Sequence, residues 1–343
     1  MTNRSDGSGP PTTPPTTPPA ATGPRQTQPK RRSRRALKAT AFSLAGLVAA
    51  IGLALAATSI TNAVATSAEE GEITSYGRKV DVDGKKMNVV VSGSGEQTIV
   101  LLPGFGTAAP ALDFAPLTEK LDADYRVVVV EPFGYGLSDQ TDRPRTSANI
   151  AAEVHDALGA LDIHRYVLMG HSIAGIYGLE YVNLYRDEVQ AFVGIDSSVP
   201  TQPGMDDGLP IGAMQAAKSL GLMRVLTSVS DPYAGLPFSD EAKKQMNILS
   251  QRNSLSPTYV NETEHFSQNF HDAQRLSFPR DLPVLLFVQD DNTDVAGWMP
   301  LHEEQAASVD RGEVVSMAGE HYLHHTLSAE IAQETTRFLN ESR

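Results

Sequence analysis

Cysteine is absent from this 343-residue chain. Its absence excludes disulfide bonds and metal sites built on thiolates. It gives no indication of whether the protein works in an oxidising or a reducing compartment. The sequence also lacks a Walker phosphate loop, a dinucleotide-binding glycine fingerprint and a zinc-ligand pattern. We therefore expect no metal and no other cofactor.

Positive charge is scarce over most of the chain. Residues 1–38 contain eight Lys or Arg and one acidic residue, whereas the remaining 305 residues contain 20 Lys or Arg against 40 acidic residues. Proteins bind the phosphate groups of nucleic acids or anionic lipids through clustered cations. The acidic body therefore predicts no nucleic-acid partner.

The N-terminal region has the composition of a tail followed by a membrane span. Residues 1–38 are rich in proline and basic residues and have no apolar periodicity, which predicts a disordered basic tail. No residue from Ala39 to Ala68 is charged, and the run from Phe42 to Ala57 is strongly apolar. This length can cross a hydrocarbon layer of about 30 Å as a helix. We predict a transmembrane signal anchor over residues 39–65.

Two locations are compatible with this segment. The positive-inside rule keeps the basic flank in the cytoplasm, so an uncleaved anchor gives a single-pass protein of the cell membrane with an extracytoplasmic body. Ala63-Val64-Ala65 also fits the small-residue cleavage site of a signal peptide, which would give a secreted protein. The long tail ahead of the basic cluster favours the anchor.

From residue 72 onward, apolar runs alternate with helical patterns, which is typical of a mostly parallel sheet flanked by helices. The stretch "RKVDVDGKKMNVVVSG" predicts a hairpin that turns at Asp83-Gly84. Continuous apolar runs, expected of strands covered on both faces, occur at 98–104, 126–132, 165–170, 190–196, 283–289 and 313–317. Helices are predicted between them at 111–121, 147–161, 175–185, 301–308 and 327–339.

One interval breaks the alternation. Residues 197–282 contain no convincing strand and are rich in Met, Gln, Ser and Asn, which predicts a helical cap inserted into the sheet domain. The core domain then comprises residues 72–196 and 283–343. The Met and Leu side chains of the cap suit an acyl or other hydrophobic group, although such residues more often form the core of the cap itself.

The stretch "YVLMGHSIAGIYGL" contains Ser172 between a predicted strand and a predicted helix. A tight turn would explain a serine there, and so would a nucleophile held on a strained strand-to-helix turn. The second interpretation requires small residues two positions away on each side, and Gly170 and Ala174 meet this requirement. Ala174 departs from the usual G-x-S-x-G pattern, but alanine is small enough to keep the geometry.

Four motifs lie in order beside the predicted strands: "LLPGFG", "EPFGYGLSD", "GHSIAG" and "AGEHYLHH". Together they resemble the α/β-hydrolase fold family over residues 72–343. The N-terminal anchor combined with "FGYGLSD", "GIDSSVP" and "HYLHH" resembles a poorly characterised group of bacterial membrane-anchored α/β hydrolases. The resemblance implies an α/β fold with an eight-stranded, mostly parallel sheet and a helical cap.

The resemblance also implies roles for individual residues. Ser172 corresponds to the nucleophile, and His321, just past the last strand, corresponds to the catalytic base. The backbone N–H groups of Phe105 and Ile173 correspond to the oxyanion hole, with Pro103 in place of the family's usual histidine. A serine hydroxyl needs both such a base and such donors to attack a carbonyl.

His324 and His325 are rivals of His321 by residue type, and a histidine cluster also raises the question of a metal site. The further ligands that a metal would need are not evident from the spacing. We therefore assign no metal ligands and keep His321 as the base.

The acid of the triad has two candidate locations. At the family's common position, after the seventh strand, Gln289 replaces the usual glycine, and Asp290, Asp291 and Asp294 lie close by. The other known position is the end of the sixth strand, where "FVGIDSSVP" contains Asp196. We favour Asp196 over Asp291, because a triad is defined by its geometry and not by its order in the chain.

These residues predict a serine hydrolase that cleaves an ester, as a carboxylesterase or lipase does, through an acyl-enzyme intermediate. Its partners would be a small-molecule ester or acyl substrate and, through the N-terminal helix, a membrane. Three alternatives stay open: an amidase or peptidase of the same fold, a non-catalytic binding module, and cofactor-free peroxidation. Epoxide hydrolases and haloalkane dehalogenases of this fold use an aspartate nucleophile, which Ser172 excludes.

Overall fold

The computed structural model describes Gly23 and residues 32–341, with side chains from residue 37 onward. Helix α1 spans Arg32–Glu70. Most of the predicted tail over 1–38 lies outside the described residues, but its last part, residues 32–38, is helical. Arg, Ala, Leu and Lys dominate this part and have high helix propensity, which explains why the helix begins ahead of the apolar run.

The described residues form two compact units, one ending at Leu53 and one beginning at Ala54. In the first unit the large apolar side chains of α1 are exposed: Leu37, Phe42, Leu44, Leu47, Val48, Ile51 and Leu53. The stretch Leu37–Glu70 is long and apolar enough to cross a membrane. Because a helix that is apolar on all sides needs an apolar environment, α1 is a candidate membrane anchor.

The second unit is built on one eight-stranded sheet. Its strands are β1 (Arg78–Val82), β2 (Lys85–Ser92), β3 (Thr98–Leu102), β4 (Arg126–Glu131), β5 (Tyr166–His171), β6 (Val189–Ile195), β7 (Val284–Gln289) and β8 (Gly312–Met317). Their order across the sheet is β1-β2-β4-β3-β5-β6-β7-β8. The pairs β1–β2 and β2–β4 are antiparallel, and the other pairs are parallel. The predicted α/β fold with an eight-stranded, mostly parallel sheet is confirmed.

The hairpin of β1 and β2 turns at the two residues that the sequence indicates. Asp83 and Gly84 have φ values of +50° and +75°, as a type I′ turn requires. The turn pairs Val82 with Lys85 across the two strands. An Asp-Gly pair adopts this backbone at low cost, because glycine has no Cβ atom and aspartate tolerates the left-handed region.

The central strands are buried on both faces of the sheet. In β3, Val100 and Leu102 join the core on one face, whereas Ile99 and Leu101 join the core on the other. Helices cover both faces, so a central strand has no side that meets water. This double burial is the origin of the continuous apolar runs in the sequence.

Four helices accompany the first six strands: α2 (Pro110–Asp113), α3 (Ala115–Leu121), α4 (Ser147–Gly159) and α5 (Ala174–Leu184). The predicted helix over 111–121 is divided into α2 and α3 at Phe114. Pro116 has no N–H with which to continue the hydrogen bonds of α2, so the first helix ends and a new one begins.

Between β6 and β7 the described residues form five helices and no strand: α6 (Ile211–Ser219), α7 (Leu222–Val229), α8 (Asp240–Asn253), α9 (Pro257–Glu264) and α10 (Phe266–Ala273). We call residues 197–282 the cap. Three helices complete the fold: α11 (Trp298–Ala307), α12 (Leu323–Thr326) and α13 (Ser328–Asn340).

Candidate active site

The candidate site lies at the carboxyl ends of the parallel strands. Gly104 follows β3, Ser172 follows β5, Asp196 follows β6, and His321 lies in the loop after β8. The carboxyl ends of parallel strands meet at one edge of a sheet. Residues that are far apart in the chain therefore come together here, because each follows a buried apolar strand.

Ser172 occupies a strained turn between β5 and α5. Its φ is +55°, in the left-handed region that costs a residue with a Cβ atom about 1–2 kcal/mol. The Ser172 N–H donates to the carbonyl of Ile195 (3.2 Å), and the Ser172 carbonyl accepts from the N–H of Ser198 (2.8 Å). A Cβ atom at Gly170 would lie 2.9 Å from the Cβ atom of Ala174. One glycine in this pair is therefore enough, which explains why alanine fits at position 174.

Ser172, His321 and Asp196 form a continuous chain of polar contacts. His321 Nε2 lies 3.0 Å from Ser172 Oγ, and His321 Nδ1 lies 2.6 Å from Asp196 Oδ2. Asp196 is fully buried, whereas the side chain of His321 is 42% exposed. A carboxylate can only accept hydrogen bonds. Nδ1 of the imidazole therefore donates to Asp196, and Nε2 is left to accept the hydroxyl proton of Ser172.

Asp196 is held by two further donors. Its Oδ1 atom accepts from the indole N–H of Trp298 (2.7 Å) and from the backbone N–H of Gln289 (3.0 Å). Neither contact is predictable from the sequence. Trp298 is 102 positions away from Asp196, and no spacing or motif links a tryptophan at the start of α11 to the end of β6.

The rival acids lie elsewhere. Asp290, Asp291 and Asp294 are exposed on the segment that follows β7. Among the described residues, the carboxylate that hydrogen-bonds to His321 is that of Asp196. The structure thus brings His321 together with Asp196 and leaves Asp291 in solvent.

The loop after β3 reaches the candidate nucleophile. A Cβ atom at Gly104 would lie 2.6 Å from His171 Nδ1 and 3.1 Å from Ser172 Cβ, so only glycine permits this approach. The next residue is Phe105, and the residue after Ser172 is Ile173. The backbone N–H groups of both have no acceptor among the described residues. Two free donors beside a serine hydroxyl are what an oxyanion hole requires.

A model of the alpha/beta hydrolase family matches residues 99–334, which is more than half of the chain and includes all of these residues. This chain belongs to the alpha/beta hydrolase family.

Individual relatives agree with the family match. The uncharacterized protein YbdG of Bacillus subtilis is 27% identical over 322 residues, covering 90% of this chain and 98% of that protein. A solved epoxide hydrolase from Vigna radiata covers 78% of this chain and 98% of its own, at 18% identity and a TM-score of 0.58. A bacterial membrane phospholipase A covers 89% of this chain and 98% of its own, at 20% identity and a TM-score of 0.54. At these identities the two solved structures indicate the fold alone.

In this alpha/beta hydrolase, His171 supports the loop that carries His321. Its Nε2–H donates to the backbone carbonyl of His321 (3.1 Å). Burial, together with the neighbouring His324 and His321, holds the pKa of His171 well below its ordinary value of 6.5. His171 is therefore neutral, and its Nδ1 atom is buried without a partner among the described residues.

A second buried carboxylate, that of Asp113, holds α12, the short helix that follows the loop of His321. Asp113 Oδ2 accepts from His324 Nε2 (2.7 Å), and Asp113 Oδ1 accepts from His325 Nε2 (2.8 Å). Burial alone would raise the pKa of Asp113, but the two imidazole partners outweigh it and lower the pKa. These three residues have ligand-type atoms within 4.8 Å of one another. The contacts of Asp113 with His324 and His325 have the lengths of direct hydrogen bonds, so the cluster joins α12 to α2.

A cavity of about 290 Å³ adjoins the loop after β3. The core contributes Thr107 and Tyr322, the neighbour of His321, and the cap contributes Tyr233, Leu236 and Met246. Its walls combine apolar side chains with tyrosine and histidine rings. This composition suits a small molecule with both an apolar and a polar part.

Proposed function

We propose that this alpha/beta hydrolase is a serine hydrolase that cleaves carboxylic esters through an acyl-enzyme intermediate. The chain of contacts from Ser172 Oγ through His321 to Asp196, at 3.0 and 2.6 Å, carries the proposal. A serine hydroxyl is a weak nucleophile until a base takes its proton. Here the base is in reach, and a buried carboxylate orients it.

The reaction proceeds in two halves. Ser172 Oγ attacks the ester carbonyl while His321 Nε2 takes the hydroxyl proton, and the N–H groups of Phe105 and Ile173 stabilise the negative oxygen. The carbon–oxygen bond to the alcohol then breaks, and His321 returns the proton to the departing oxygen. Water then enters, and its oxygen attacks the acyl carbon while His321 Nε2 takes one of its protons. The bond between that carbon and Ser172 Oγ breaks, His321 returns the proton to Oγ, and the acid is released.

The local geometry favours catalysis over a passive binding role. The positive φ of Ser172 costs free energy, and the backbone N–H groups of Phe105 and Ile173 have no acceptor in the part of the chain that the structure describes. A module that only binds a ligand needs neither feature. An amidase or peptidase would use the same residues. In that reaction His321 must protonate a leaving nitrogen, which is more basic than the leaving oxygen of an ester.

We also propose that the protein is a single-pass protein of the cell membrane with an extracytoplasmic catalytic domain. The basic cluster ahead of the apolar run supports this orientation. Residues near the end of α1 bond to the cap: Thr58 Oγ1 donates to the carbonyl of Leu220 (2.7 Å), and Glu69 pairs with Arg224 (2.5 Å). Cleavage after Ala65 would remove part of this contact.

The direct test uses the full-length protein in detergent micelles, a fluorophosphonate probe and short-chain nitrophenyl esters. We expect labelling and hydrolysis in the wild type and loss of labelling in Ser172→Ala, with at least about a thousandfold loss of hydrolysis. Ser230→Ala, which alters an exposed serine, is the matched control and should behave as the wild type. Equal rates in wild type and Ser172→Ala would refute the nucleophile. A higher kcat/KM on the matching anilides than on the esters would favour an amidase.

A further inference from the structure

Helix α7 of the cap presents an apolar face that the described chain covers only in part. Among the described residues after Val64, nine large apolar side chains are exposed, and five of them lie in this eight-residue helix: Leu222, Met223, Val225, Leu226 and Val229. Leu226 is 58% exposed and Val229 is 78% exposed. At 3.6 residues per turn, four of the five fall within about 100° of arc. These four side chains therefore form a continuous apolar stripe, whereas exposed apolar residues on most protein surfaces are scattered singly.

The opposite face of α7 is polar and is turned toward α1. Arg224 donates from Nε to Asn62 Oδ1 (3.0 Å) and from Nη2 to Thr66 Oγ1 (3.1 Å), and it forms an ion pair with Glu69 (2.5 Å). A helix on the surface of a water-soluble protein normally turns its apolar face inward. In α7 this arrangement is reversed, so its apolar stripe points away from the protein.

The contact between the cap and α1 begins inside the predicted anchor of residues 39–65, after its first 20 residues. About 20 helical residues cross the hydrocarbon layer, and a span counted from Ala39, the residue after Lys38, ends at Thr58. Thr58 Oγ1 donates to the carbonyl of Leu220 (2.7 Å). A Cβ atom at Gly221, the residue that precedes α7, would lie 2.5 Å from the carbonyl oxygen of Thr58. The first residue of α7 is therefore next to the end of the span.

We propose that α7 is an interfacial helix, whose stripe of Leu222, Val225, Leu226 and Val229 inserts into the lipid leaflet from which α1 emerges. Because α7 begins next to Thr58, where the 20-residue span ends, the surface that covers its stripe is the lipid bilayer. The proposal depends on α1 being a membrane anchor. The single charged side chain of α7, Arg224, is paired with Glu69 on the far side, so insertion buries no unpaired charge. The binding is hydrophobic in origin and needs no anionic lipid, in keeping with the acidic body of the protein.

The absence of cysteine allows a direct measurement of depth. Single cysteines replace Leu226 and Val229 in separate full-length variants, each labelled with a small environment-sensitive fluorophore. The proteins are placed in phosphatidylcholine nanodiscs at one copy per disc. Thr227→Cys, on the polar side of the same helix, is the matched control, and Glu119→Cys on α3 is the control for a fully aqueous site; both positions are exposed.

Quenching by doxyl-labelled lipid should be about threefold or more stronger at positions 226 and 229 than at 227 and 119, because an interfacial helix buries its apolar face about 5–10 Å deep. Quenching by aqueous iodide should follow the opposite order. Thermal unfolding midpoints check that each variant is folded, and Val225→Cys replaces either variant that is not.

Two results would overturn the proposal. One is iodide quenching at 226 and 229 equal to that at 119, which would leave the stripe in water. The other is protection at 226 and 229 from both quenchers, seen only in discs that hold two copies, which would assign the stripe to a second copy of this chain. Neither result depends on the hydrolase proposal, because fluorophosphonate labelling at Ser172 tests that separately.

Discussion

The indole N–H of Trp298 donates to Asp196 Oδ1 at 2.7 Å, while the other carboxylate oxygen, Oδ2, lies 2.6 Å from His321 Nδ1. Trp298 is buried at the first residue of α11. The tryptophan therefore fixes the orientation of the carboxylate, and the carboxylate in turn orients the imidazole. Trp298 touches no reacting atom in this arrangement, so its role is one of positioning.

Trp298→Phe tests this role. Phenylalanine fills part of the space of the indole but cannot donate, so Asp196 loses one of its hydrogen bonds, at a cost of about 1–2 kcal/mol. If the lost hydrogen bond raises the free energy of the transition state by this amount, kcat on nitrophenyl acetate falls roughly tenfold. KM should change little. The measurement is steady-state kinetics normalised to fluorophosphonate-reactive sites. A lower unfolding midpoint with unchanged kcat per reactive site would reduce Trp298 to a purely structural residue.

The identity of the acid can be decided by a matched pair of substitutions. Asp196→Asn keeps the size of the side chain but no longer fixes Nδ1 of His321 as a donor, and we expect a loss of kcat of about 10⁴-fold. Asp291→Asn alters an exposed side chain and should leave the rate unchanged. Both are measured with the same ester and probe. A large loss in Asp291→Asn with activity retained in Asp196→Asn would reverse the assignment.

The sheet was predictable because its signals are local. Each buried strand is an apolar run, and the Asp83-Gly84 turn depends on the backbone preferences of those two residues. The position of Ser172 between a strand and a helix is equally local. The division of one predicted helix at Phe114 was also readable in principle from Pro116, which lacks the N–H that a continuous helix needs.

The partners of Asp196 were not predictable, because they depend on how distant segments pack. The sequence left Asp196 and Asp291 as rivals, and only the tertiary fold brings one of them to His321. Trp298 and Asp113 reach the site from α11 and α2, and no sequence period links them to it. The exposure of the apolar stripe of α7 was not predictable either. An apolar helical pattern predicts which side chains share a face but not what that face contacts.

His171 should make stability depend on pH. Burial, with His324 and His321 beside it, lowers its pKa well below 6.5, whereas nearby Asp113 opposes this shift. The folded protein then binds fewer protons than the unfolded chain, so the stabilisation is present above about pH 6.5 and is lost as the pH falls. We expect the free energy of unfolding of His171→Gln to fall less steeply than that of wild type between about pH 7 and 5. Denaturant titrations measure the difference, with the exposed His164→Gln as control; identical slopes for wild type and His171→Gln would contradict the prediction.

Asp113→Asn should loosen the attachment of α12 to α2. The substitution replaces a buried carboxylate that accepts from His324 and His325 with an amide that has one acceptor oxygen. One buried imidazole N–H is then left without an acceptor, at a cost of about 1–3 kcal/mol. We expect a clearly lower unfolding midpoint and a reduced kcat, because His321 lies in the loop that leads into α12. The chelator EDTA should leave the wild-type midpoint unchanged, since the contacts of Asp113 have hydrogen-bond lengths. A drop in the midpoint on chelation would instead indicate a metal held by these three residues.

The leader should remain attached to the mature protein. Thr58 and Asn62 lie before the predicted cleavage site at Ala63-Val64-Ala65, and both bond to the cap, through the carbonyl of Leu220 and through Arg224. A signal peptidase would have to break these contacts to reach Ala63-Val64-Ala65, whereas an uncleaved anchor retains them. We expect the mass of the protein purified from membranes to include the residues before Ala63, and the protein to stay in the membrane fraction after an alkaline carbonate wash. Arg224→Ala should leave this anchoring unchanged, because the apolar span alone holds the chain in the bilayer. A soluble product that begins after Ala65 would show that the protein is secreted.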